Sequence, residues 1–248
     1  MGDVPALRRA IALLRQLAGS NRPISAGALA RGLDIPRSSI YELLAVLDEL
    51  GFVAKAPGGY MLGAGVSELG SAFGRTDPLQ RLAQPIVRRL AEDTDGTAQL
   101  SVLRGWETVY ILKEQAVRSV AVITAAGVRM PAYLTATGRA MLAQLSKREV
   151  LALFTGEGAF VSRTGSGPQT VRELNGELGH ERRRGYSLER GEVTPGIWTV
   201  GAPVLDALDR PVAGMGLCLP DSAYSAEAVE ASAERVRAAA AELTARLR

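Results

Sequence analysis

The stretch ISAGALARGLDIPRSSIYELLAVLDELGFVAKAPGGYMLG, residues 24–63, predicts how the N-terminal part of the chain folds. Ser25 precedes a short run with helical spacing, residues 26–31, where its hydroxyl can accept a hydrogen bond from the first turn. Pro36 stands where the first residue of a second helix belongs, because its missing N–H costs nothing there. A tight turn that contains Gly32 separates the two helices. This order predicts a helix-turn-helix unit.

A further helix and a hairpin flank this unit. Upstream, the apolar residues at helical spacing are Leu7, Ala10, Ile11, Leu14 and Leu17. The apolar stripe of the second helix of the unit consists of Ile40, Leu43, Leu44, Leu47 and Leu50. Gly51 ends that helix, as a residue free to adopt positive φ. Two short runs, Phe52–Lys55 and Tyr60–Leu62, flank a glycine-containing loop and predict a hairpin, the wing. Residues 1–65 are therefore predicted to form a winged helix-turn-helix domain.

The free face of the second helix carries the residues that we expect to contact DNA. In a helix-turn-helix this helix lies in the major groove, and its N-terminal residues meet base edges. Arg37 can bind a guanine through two hydrogen bonds or contact a phosphate. The predicted DNA-binding set is Ser25, Arg37, Ser38, Ser39, Tyr41 and, on the wing, Lys55. Glu42 on the same face opposes DNA binding, so a winged helix used only for protein contact stays open as an alternative.

The rest of the chain alternates between helical and strand patterns. A linker helix is predicted around Val66–Phe73, within residues 66–77, and a second domain over residues 78–248. Strands are predicted at Ala98–Leu103, Thr108–Lys113, Val117–Ile123, Ile197–Leu205 and Val212–Leu219. Helices are predicted at Ala136–Leu145, Lys147–Leu153, Thr170–Arg184 and from Ser225 to the C-terminus. Because strands and helices interleave without strict βαβ order, we expect an α+β fold, a sheet with flanking helices.

The composition excludes several classes of protein. Apolar residues make up 47% of the chain, which supplies a core and argues against disorder. No apolar run is long enough to span a bilayer, and the N-terminus lacks the apolar segment of a signal peptide, so we expect a cytoplasmic protein without membrane contact. Cys218 is the single cysteine, which precludes an intrachain disulfide. The net charge of +3 permits nucleic-acid binding without requiring it.

Motifs for catalysis, metals and nucleotides are missing from the sequence. His180 is the only histidine, and it lies at the polar end of a predicted helix. One histidine and one cysteine are too few for a zinc site. The glycines of residues 63–70 lack the spacing of a phosphate-binding loop. We therefore expect a protein that is not an enzyme and uses no cofactor or metal. An enzyme built on the α+β domain, and a partner-binding module without a small ligand, stay open as alternatives.

Several segments together resemble the IclR family of bacterial transcriptional regulators. Residues 24–63 resemble its N-terminal domain. RMPAYLTATGRAMLA, Arg129–Ala143, is similar to the family motif Pro-x-x-x-(Ser/Thr)-Ala-x-Gly-Lys-Ala. GYSLERGEVTPGIWTVGAPVLD, Gly185–Asp206, and VAGMGLCLP, residues 212–220, resemble the segments that follow. The resemblance spans nearly the whole chain, in the family's order.

This resemblance implies a GAF-like effector-binding domain with an antiparallel sheet after the linker helix. It implies homodimers, or tetramers built as dimers of dimers, that bind operator DNA and repress or activate operons, with repression expected of this chain. A small effector, a carboxylate or an aromatic acid, would change the affinity for DNA. The effector-binding set implied by the motifs is Met130, Ala136, Thr137, Glu189, Ile197, Thr199, Gly216 and Cys218. Thr199 and Glu189 stand where the family commonly has Cys and Asp, so the identity of the effector does not transfer.

Overall fold

The computed structural model describes residues 4–20, 22–119, 122, 125–154 and 160–248, and for residues 71–76 the backbone alone. Within these ranges the chain forms two compact units, Met1–Asp77 and Pro78–Arg248. None of the helices in the described part of the chain is long and apolar enough to cross a membrane.

The first unit consists of helices and one hairpin. Its elements are α1 (Pro5–Ala18), α2 (Ala26–Leu33), α3 (Arg37–Glu49), β1 (Val53–Ala56), β2 (Gly59–Leu62) and α4 (Ala64–Thr76). The apolar faces of α1, α2 and α3 meet in one core around Leu13, Leu29 and Ile40, which are fully buried. This burial is the main stabilising contribution to the three-helix arrangement.

The turn between α2 and α3 differs in detail from the sequence prediction. Ser25 caps α2 as predicted, because its hydroxyl accepts the Ala28 N–H. The helix then runs through Gly32, whose lack of a side chain admits Gln16 of α1. The left-handed residue of the turn is Asp34, at φ 52°, a conformation that a short polar side chain tolerates. Pro36 is extended and caps α3 instead of opening it, so α3 begins at Arg37.

The predicted wing is present and has an additional backbone partner. β1 and β2 pair antiparallel from Val53–Leu62 to Ala56–Gly59. Ile24, in the connection before α2, exchanges two backbone hydrogen bonds with Tyr60 of β2. Gly59 makes this approach possible, since a Cβ there would collide with the Ile24 carbonyl. The hairpin is thereby fixed to the start of the helix-turn-helix.

The second unit combines five helices with a six-stranded sheet in its described part. The helices are α5 (Pro78–Thr94), α6 (Ala136–Leu142), α7 (Lys147–Leu153), α8 (Val171–Arg184) and α9 (Ala226–Leu247). The strands are β3 (Thr97–Arg104), β4 (Glu107–Gln115), β5 (Arg129–Pro131), β6 (Ser187–Arg190), β7 (Ile197–Leu205) and β8 (Pro211–Pro220). The strand order is β5-β4-β3-β8-β7-β6, and all neighbours are antiparallel. The predicted α+β fold with an antiparallel sheet and flanking helices is confirmed.

Two strands were not predicted, and one prediction was wrong in its described part. β5 and β6 are edge strands of three and four residues, too short for a clear alternation of apolar side chains. A strand was expected over Val117–Ile123, but residues 117–119 form a turn after β4. The Ser119 hydroxyl donates to the Ala116 carbonyl across that turn. Residues 120, 121 and 123 lie outside the described residues.

The two faces of the sheet carry different layers. Trp198, Val200 and Leu217 point to the face covered by α5 and α9 and form the larger apolar core there. The indole N–H of Trp198 donates to the Pro220 carbonyl, which satisfies its only polar atom. Thr199, next in sequence, faces the opposite side, as alternation along a strand requires. α6 lies on that opposite side.

Glycines on β7 and β8 let α6 rest directly on the sheet. A Cβ at Gly201 would lie 2.5 Å from the carbonyl carbon and oxygen of Ala136, and one at Gly214 would collide with the Thr137 carbonyl. Backbone atoms of α6 therefore occupy the space that side chains fill elsewhere on this face. This close packing sets the depth at which the start of α6 lies over the strands.

We predict that Gly201→Ala destabilises the protein by about 1–3 kcal/mol, because the new methyl group forces α6 away from β7. Urea unfolding of the full chain measures this loss. Gly176→Ala is the matched control, since Gly176 lies in α8 with open space around its Cα and alanine favours a helix by about 0.5–1 kcal/mol. A Gly201→Ala protein as stable as the Gly176→Ala protein would contradict the packing described.

Candidate effector cavity and DNA-reading helix

A cavity of about 20 Å³ lies between the start of α6 and the sheet. Its lining comes from five strands and the segments beside them. The lining residues are Gln99, Tyr110, Val122, Thr135, Ala136, Glu189, Val193, Thr194, Ile197, Thr199 and Cys218. As it stands the cavity has room for about one water molecule, so a small-molecule ligand would have to widen it. Polar groups that converge from several strands are nevertheless what such a site requires.

Strand register aligns the polar residues of the cavity floor. Glu189 of β6 pairs with Thr199 of β7, and Thr199 pairs with Cys218 of β8. Directly paired residues point to the same face of a sheet, so these three side chains form one row. Gln99 of β3 pairs with Gly216, two residues before Cys218, and faces the same side. Residues far apart in sequence thus meet in one site.

Five of the eight residues implied by the family motifs line this cavity, and three do not. The five are Ala136, Glu189, Ile197, Thr199 and Cys218. Gly216 lies on the same face but is covered by Thr137, whose methyl group would collide with a Cβ there. Thr137 thus packs onto β8 instead of facing the cavity. Met130 is buried on the edge strand β5, opposite Thr108 and outside the wall.

Six residues that line the cavity were not predicted. They differ in whether the sequence contains a pattern that could have indicated them. Gln99 and Tyr110 are polar residues inside otherwise apolar strands, a signal that could have been used. Thr135 caps α6 through its hydroxyl, which accepts the Gly138 N–H. Val193 and Thr194 come from the loop between β6 and β7, where no periodic pattern indicates a direction, and Val122 lies in the segment wrongly predicted as a strand.

Glu189 is the acidic group of the cavity, with 3% of its surface exposed. Its Oε1 accepts the backbone N–H groups of Glu192, at 2.7 Å, and Val193, at 3.0 Å. Burial raises the pKa of this carboxyl, while the Val193 N–H and the Thr199 hydroxyl act in the opposite direction. Glu189 therefore both holds the 191–196 loop and presents a carboxyl to the cavity.

Cys218 has the properties of a packed thiol. Burial raises its pKa to about 11, and hydrogen bonds from Thr199 and Gln99 offset only part of that rise. The thiolate is the reactive form of cysteine, so this side chain is a poor nucleophile near neutral pH. Its sulfur serves instead as an acceptor for Gln99 Nε2 and for the Thr199 hydroxyl at 3.3 Å.

Behind the cavity, Arg139 of α6 is completely buried and joins several elements. Its Nε donates to Glu181 of α8 at 3.0 Å, and its Nη1 donates to Glu192 of the 191–196 loop at 2.6 Å. Further donors reach the carbonyls of Tyr133 and Leu188. A planar guanidinium with five donors suits such a hub. In the sequence, Arg139 stands where the family motif has Lys.

The opposite charges in the Arg139 cluster stabilise one another's ionised forms. Burial alone would lower the pKa of Arg139, but the carboxylates of Glu181, Glu192 and Glu177 outweigh it and raise the pKa. Burial raises the pKa of Glu181, and the guanidinium and the Ser187 hydroxyl oppose that rise. Ser187 donates to Glu181 Oε2 at 2.8 Å, so both carboxyl oxygens have partners. Removing Arg139 would leave Glu181 buried, with Arg184 at 3.2 Å as its remaining cation.

The predicted DNA-reading residues lie together at the start of α3. Arg37, Ser38 and Tyr41 are exposed, and Ser39 is half-buried. The first turn of α3 contains no acidic residue. Glu42 is exposed beside them, as the sequence analysis anticipated. The guanidinium of Arg37 lies beside Gly27 of α2, so both helices of the unit contribute to this face.

The other two residues of that set have partners within the first unit. The Ser25 hydroxyl is occupied by its cap on α2. Lys55 is exposed on the wing with its Nζ 3.4 Å from Asp48 of α3. An exposed pair of this kind contributes little to stability, about 0–1 kcal/mol, and can be exchanged for a phosphate.

Two further sequence features have structural explanations. His180 is exposed on α8 and bonds Arg183, as expected of a solvated helix end. Arg182 and Arg184 donate to backbone carbonyls of the same unit, at Ala143 and Tyr186. Among the described residues, no group of three His, Cys, Asp or Glu side chains is arranged to hold a metal ion.

Comparison with known protein families identifies the family to which the chain belongs. Residues 6–57 match the model of the IclR helix-turn-helix domain. Residues 74–245 match the model of the bacterial transcriptional regulator IclR C-terminal domain. The chain belongs to the IclR family. It is thus a transcriptional regulator with an N-terminal DNA-binding domain and a C-terminal effector-binding domain.

Individual relatives support this assignment over nearly the full length. The chain is 29% identical to the transcriptional repressor IclR of Escherichia coli, over 98% of this chain and 90% of that protein. The crystal structure of the Thermotoga maritima IclR is 26% identical, with a TM-score of 0.78 and 98% of each chain covered. An IclR homologue from Microbacterium hydrocarbonoxydans complexed with 4-hydroxybenzoate shares the fold, with 19% identity, a TM-score of 0.80 and 98% of each chain covered.

We predict that Arg139→Met destabilises the IclR-family protein by about 3–5 kcal/mol at neutral pH, because it removes the buried guanidinium that pairs with Glu181 and Glu192. Urea unfolding at several pH values measures this. Both carboxyls have raised pKa values in the folded state, so protonation removes their charge there first. The loss is therefore largest above those pKa values and shrinks as the pH falls through them.

Arg172→Met serves as the control for this series, because Arg172 is exposed on α8. We expect it to change the free energy of unfolding by less than about 0.5 kcal/mol at any of these pH values. An Arg139→Met protein that matches this control, or whose loss grows as the pH falls, would show that the cluster does not hold the unit together.

Proposed function

We propose that the chain is a ligand-responsive repressor that binds operator DNA through α3 and an effector through the cavity under α6. Residues 1–65 would form the DNA-binding domain, residues 66–77 the linker helix and residues 78–248 the effector domain. The observation that carries this proposal is the row of buried polar side chains that lines the cavity in the IclR C-terminal domain. The cavity binds and releases its ligand unchanged in this proposal, which accords with the protonated, packed thiol of Cys218.

The DNA contact is proposed for the exposed start of α3. Arg37 would bind a guanine edge or a phosphate, while Ser38, Ser39 and Tyr41 would complete the contact in the major groove. Lys55 would exchange Asp48 for a phosphate, and Ser25 would contribute next to its own cap. An operator bound in this way acts in the cytoplasm, where bacterial DNA lies, and we propose that location for the protein.

Arg37→Ala is expected to weaken operator binding by about 1–3 kcal/mol, because it removes a charged base or phosphate contact. Footprinting on the DNA that flanks the protein's own gene locates the operator, and a filter-binding titration at fixed salt gives the affinity. Arg172→Ala, on α8, is the matched control and should bind as the unchanged protein does. Equal affinities of the Arg37→Ala and control proteins would remove Arg37 from the interface. If the footprinting shows no protected DNA, the proposal that the chain is a repressor is contradicted.

The effector is proposed to be a small carboxylate or aromatic acid. The cavity has room for about one water molecule as it stands, so a ligand would have to widen it, which favours a small ligand. The Microbacterium hydrocarbonoxydans homologue, complexed with 4-hydroxybenzoate, makes aromatic acids a reasonable first choice. Ala136, Glu189, Ile197, Thr199 and Cys218 would contact the ligand. Met130, Thr137 and Gly216 would support this wall from behind.

A thermal-shift screen of small carboxylates and aromatic acids tests this half of the proposal. A saturating ligand should stabilise the full chain by a few kcal/mol, because it binds the folded state alone. Ile197→Trp fills the cavity and should abolish that shift, whereas operator binding should persist. A shift of the same size in the Ile197→Trp protein would place the ligand elsewhere.

We further propose that the protein is a homodimer, or a tetramer of two such dimers. Val4 before α1, Leu7 and Ile11 on α1 and Leu69 on α4 are apolar and exposed in the first unit, which favours an interface there. A two-fold assembly also matches palindromic operators. Sedimentation velocity at micromolar concentration should show dimers or larger species, and a purely monomeric protein would contradict this.

A further inference from the structure

Two arginines of the first unit meet over the surface of α2. Gly27 and Arg31 are about one helical turn apart and lie on the side of α2 away from the core, which holds Leu29. A Cβ placed on Gly27 would lie 3.7 Å from Nη1 of Arg31 and 3.7 Å from Nη2 of Arg37, the first residue of α3. The two nitrogens are therefore no more than twice that distance apart. This point of the surface brings together cations from both helices of the helix-turn-helix.

Neither arginine has an anion that neutralises it in the described part of the chain. Both side chains are exposed. Among the described residues neither forms an ion pair, whereas Lys55 of the wing pairs with Asp48. Two like charges close together repel each other, and an anion bound between them offsets that repulsion. The pair therefore has the charge pattern of an anion-binding site.

The chemistry of the pair favours a phosphate over the edge of a base. A guanidinium presents its N–H groups as a planar fork, and a phosphate has enough acceptor oxygens to bind two such forks at once. The edge of a guanine, by contrast, offers its O6 and N7 to a single fork. Two guanidiniums that converge on one position therefore match a phosphate.

The position of the pair also fits the backbone of DNA. In a helix-turn-helix the second helix lies in the major groove, while the first helix crosses the backbone. Arg31 belongs to the first of these helices, α2, and Arg37 stands at the start of the second, α3. On DNA bound in this way, the space between the two side chains lies at the edge of the groove, where the phosphates are.

We infer that Arg31 and Arg37 together bind one backbone phosphate of the operator. The inference rests on the proposed function, because it assigns roles within the same DNA contact. It adds Arg31 to the residues that contact DNA, and it makes Arg37 a contact that positions α3 without reading a base. Phosphate contacts fix the register of a protein on DNA but carry no sequence information of their own. Recognition of the sequence is then left to residues such as Ser38 and Tyr41.

Salt-dependent titrations of the full chain test this inference. The probes are the operator fragment found by footprinting and an unrelated duplex of the same length, each titrated by fluorescence anisotropy from about 50 to about 200 mM KCl. Arg31→Gln and Arg37→Gln should each weaken the binding of both duplexes by the same factor, about tenfold. Loss of a base contact would instead weaken the binding of the operator alone. Arg172→Gln, exposed on α8, loses the same charge and should bind both duplexes as the wild type does.

The double variant, Arg31→Gln with Arg37→Gln, tests whether the phosphate is shared. Each phosphate that a protein neutralises contributes about −0.9 to the slope of log K against the logarithm of the salt concentration. A shared phosphate predicts that the slope of the double variant is shallower by about 0.9, whereas two separate phosphates predict about 1.8. Both residues are exposed, so these substitutions should leave the fold intact.

The outcomes separate the inference from the proposed function. Unchanged DNA binding by Arg31→Gln overturns the inference, and so does a loss in Arg37→Gln that is confined to the operator. A slope change near 1.8 in the double variant overturns the shared phosphate. In each of these cases the proposed function stands, because the wild type still binds its operator. If footprinting finds no protected DNA and the wild type binds neither duplex, the proposed function fails, and the inference fails with it.

Discussion

The buried ion pair between Arg139 and Glu181 fixes the elements that form the cavity. Arg139 belongs to α6, Glu181 to α8, and the same guanidinium reaches Glu192 in the 191–196 loop. The cluster has a large desolvation cost, which its charges and hydrogen bonds offset only while all members are present. The start of α6, the end of α8 and the loop therefore keep one relative position. The cavity wall depends on that position, because Ala136, Val193 and Thr194 come from these segments.

The glycines of the sheet act together with this cluster. Gly201 and Gly214 bring the α6 backbone down onto β7 and β8, and Arg139 holds the helix from the other side. Elsewhere on the same face of β7 and β8, Thr199 and Cys218 stand in place of glycine, and their side chains form the floor of the cavity. On this face of the sheet, glycines therefore make room for α6, and small polar residues line the cavity. The opposite face is apolar and packs against α5 and α9, which makes the sheet a stable base for the site.

Much of this could be predicted from the sequence, for reasons that differ between elements. Caps and apolar spacing are local, so the helices after Ser25 and Ser225 were placed within a few residues. Family motifs brought five cavity residues together, but they could not show that Thr137 covers Gly216. The partners of Arg139 lie 42 and 53 residues away, and no local pattern connects them. Gln99 is visible as a polar residue within an apolar strand, whereas its hydrogen bond to Cys218 emerges only from the packed structure.

Regulation requires that the ligand and the operator influence each other's binding through the same chain, a coupling of about 1–3 kcal/mol in typical allosteric proteins. The most direct test is fluorescence anisotropy of a labelled operator fragment, titrated with the full chain in the presence and absence of the acid that stabilises it most. The account predicts at least a fivefold change in operator affinity with the wild type and none with Ile197→Trp. Identical affinities with and without a ligand that demonstrably occupies the cavity would contradict it.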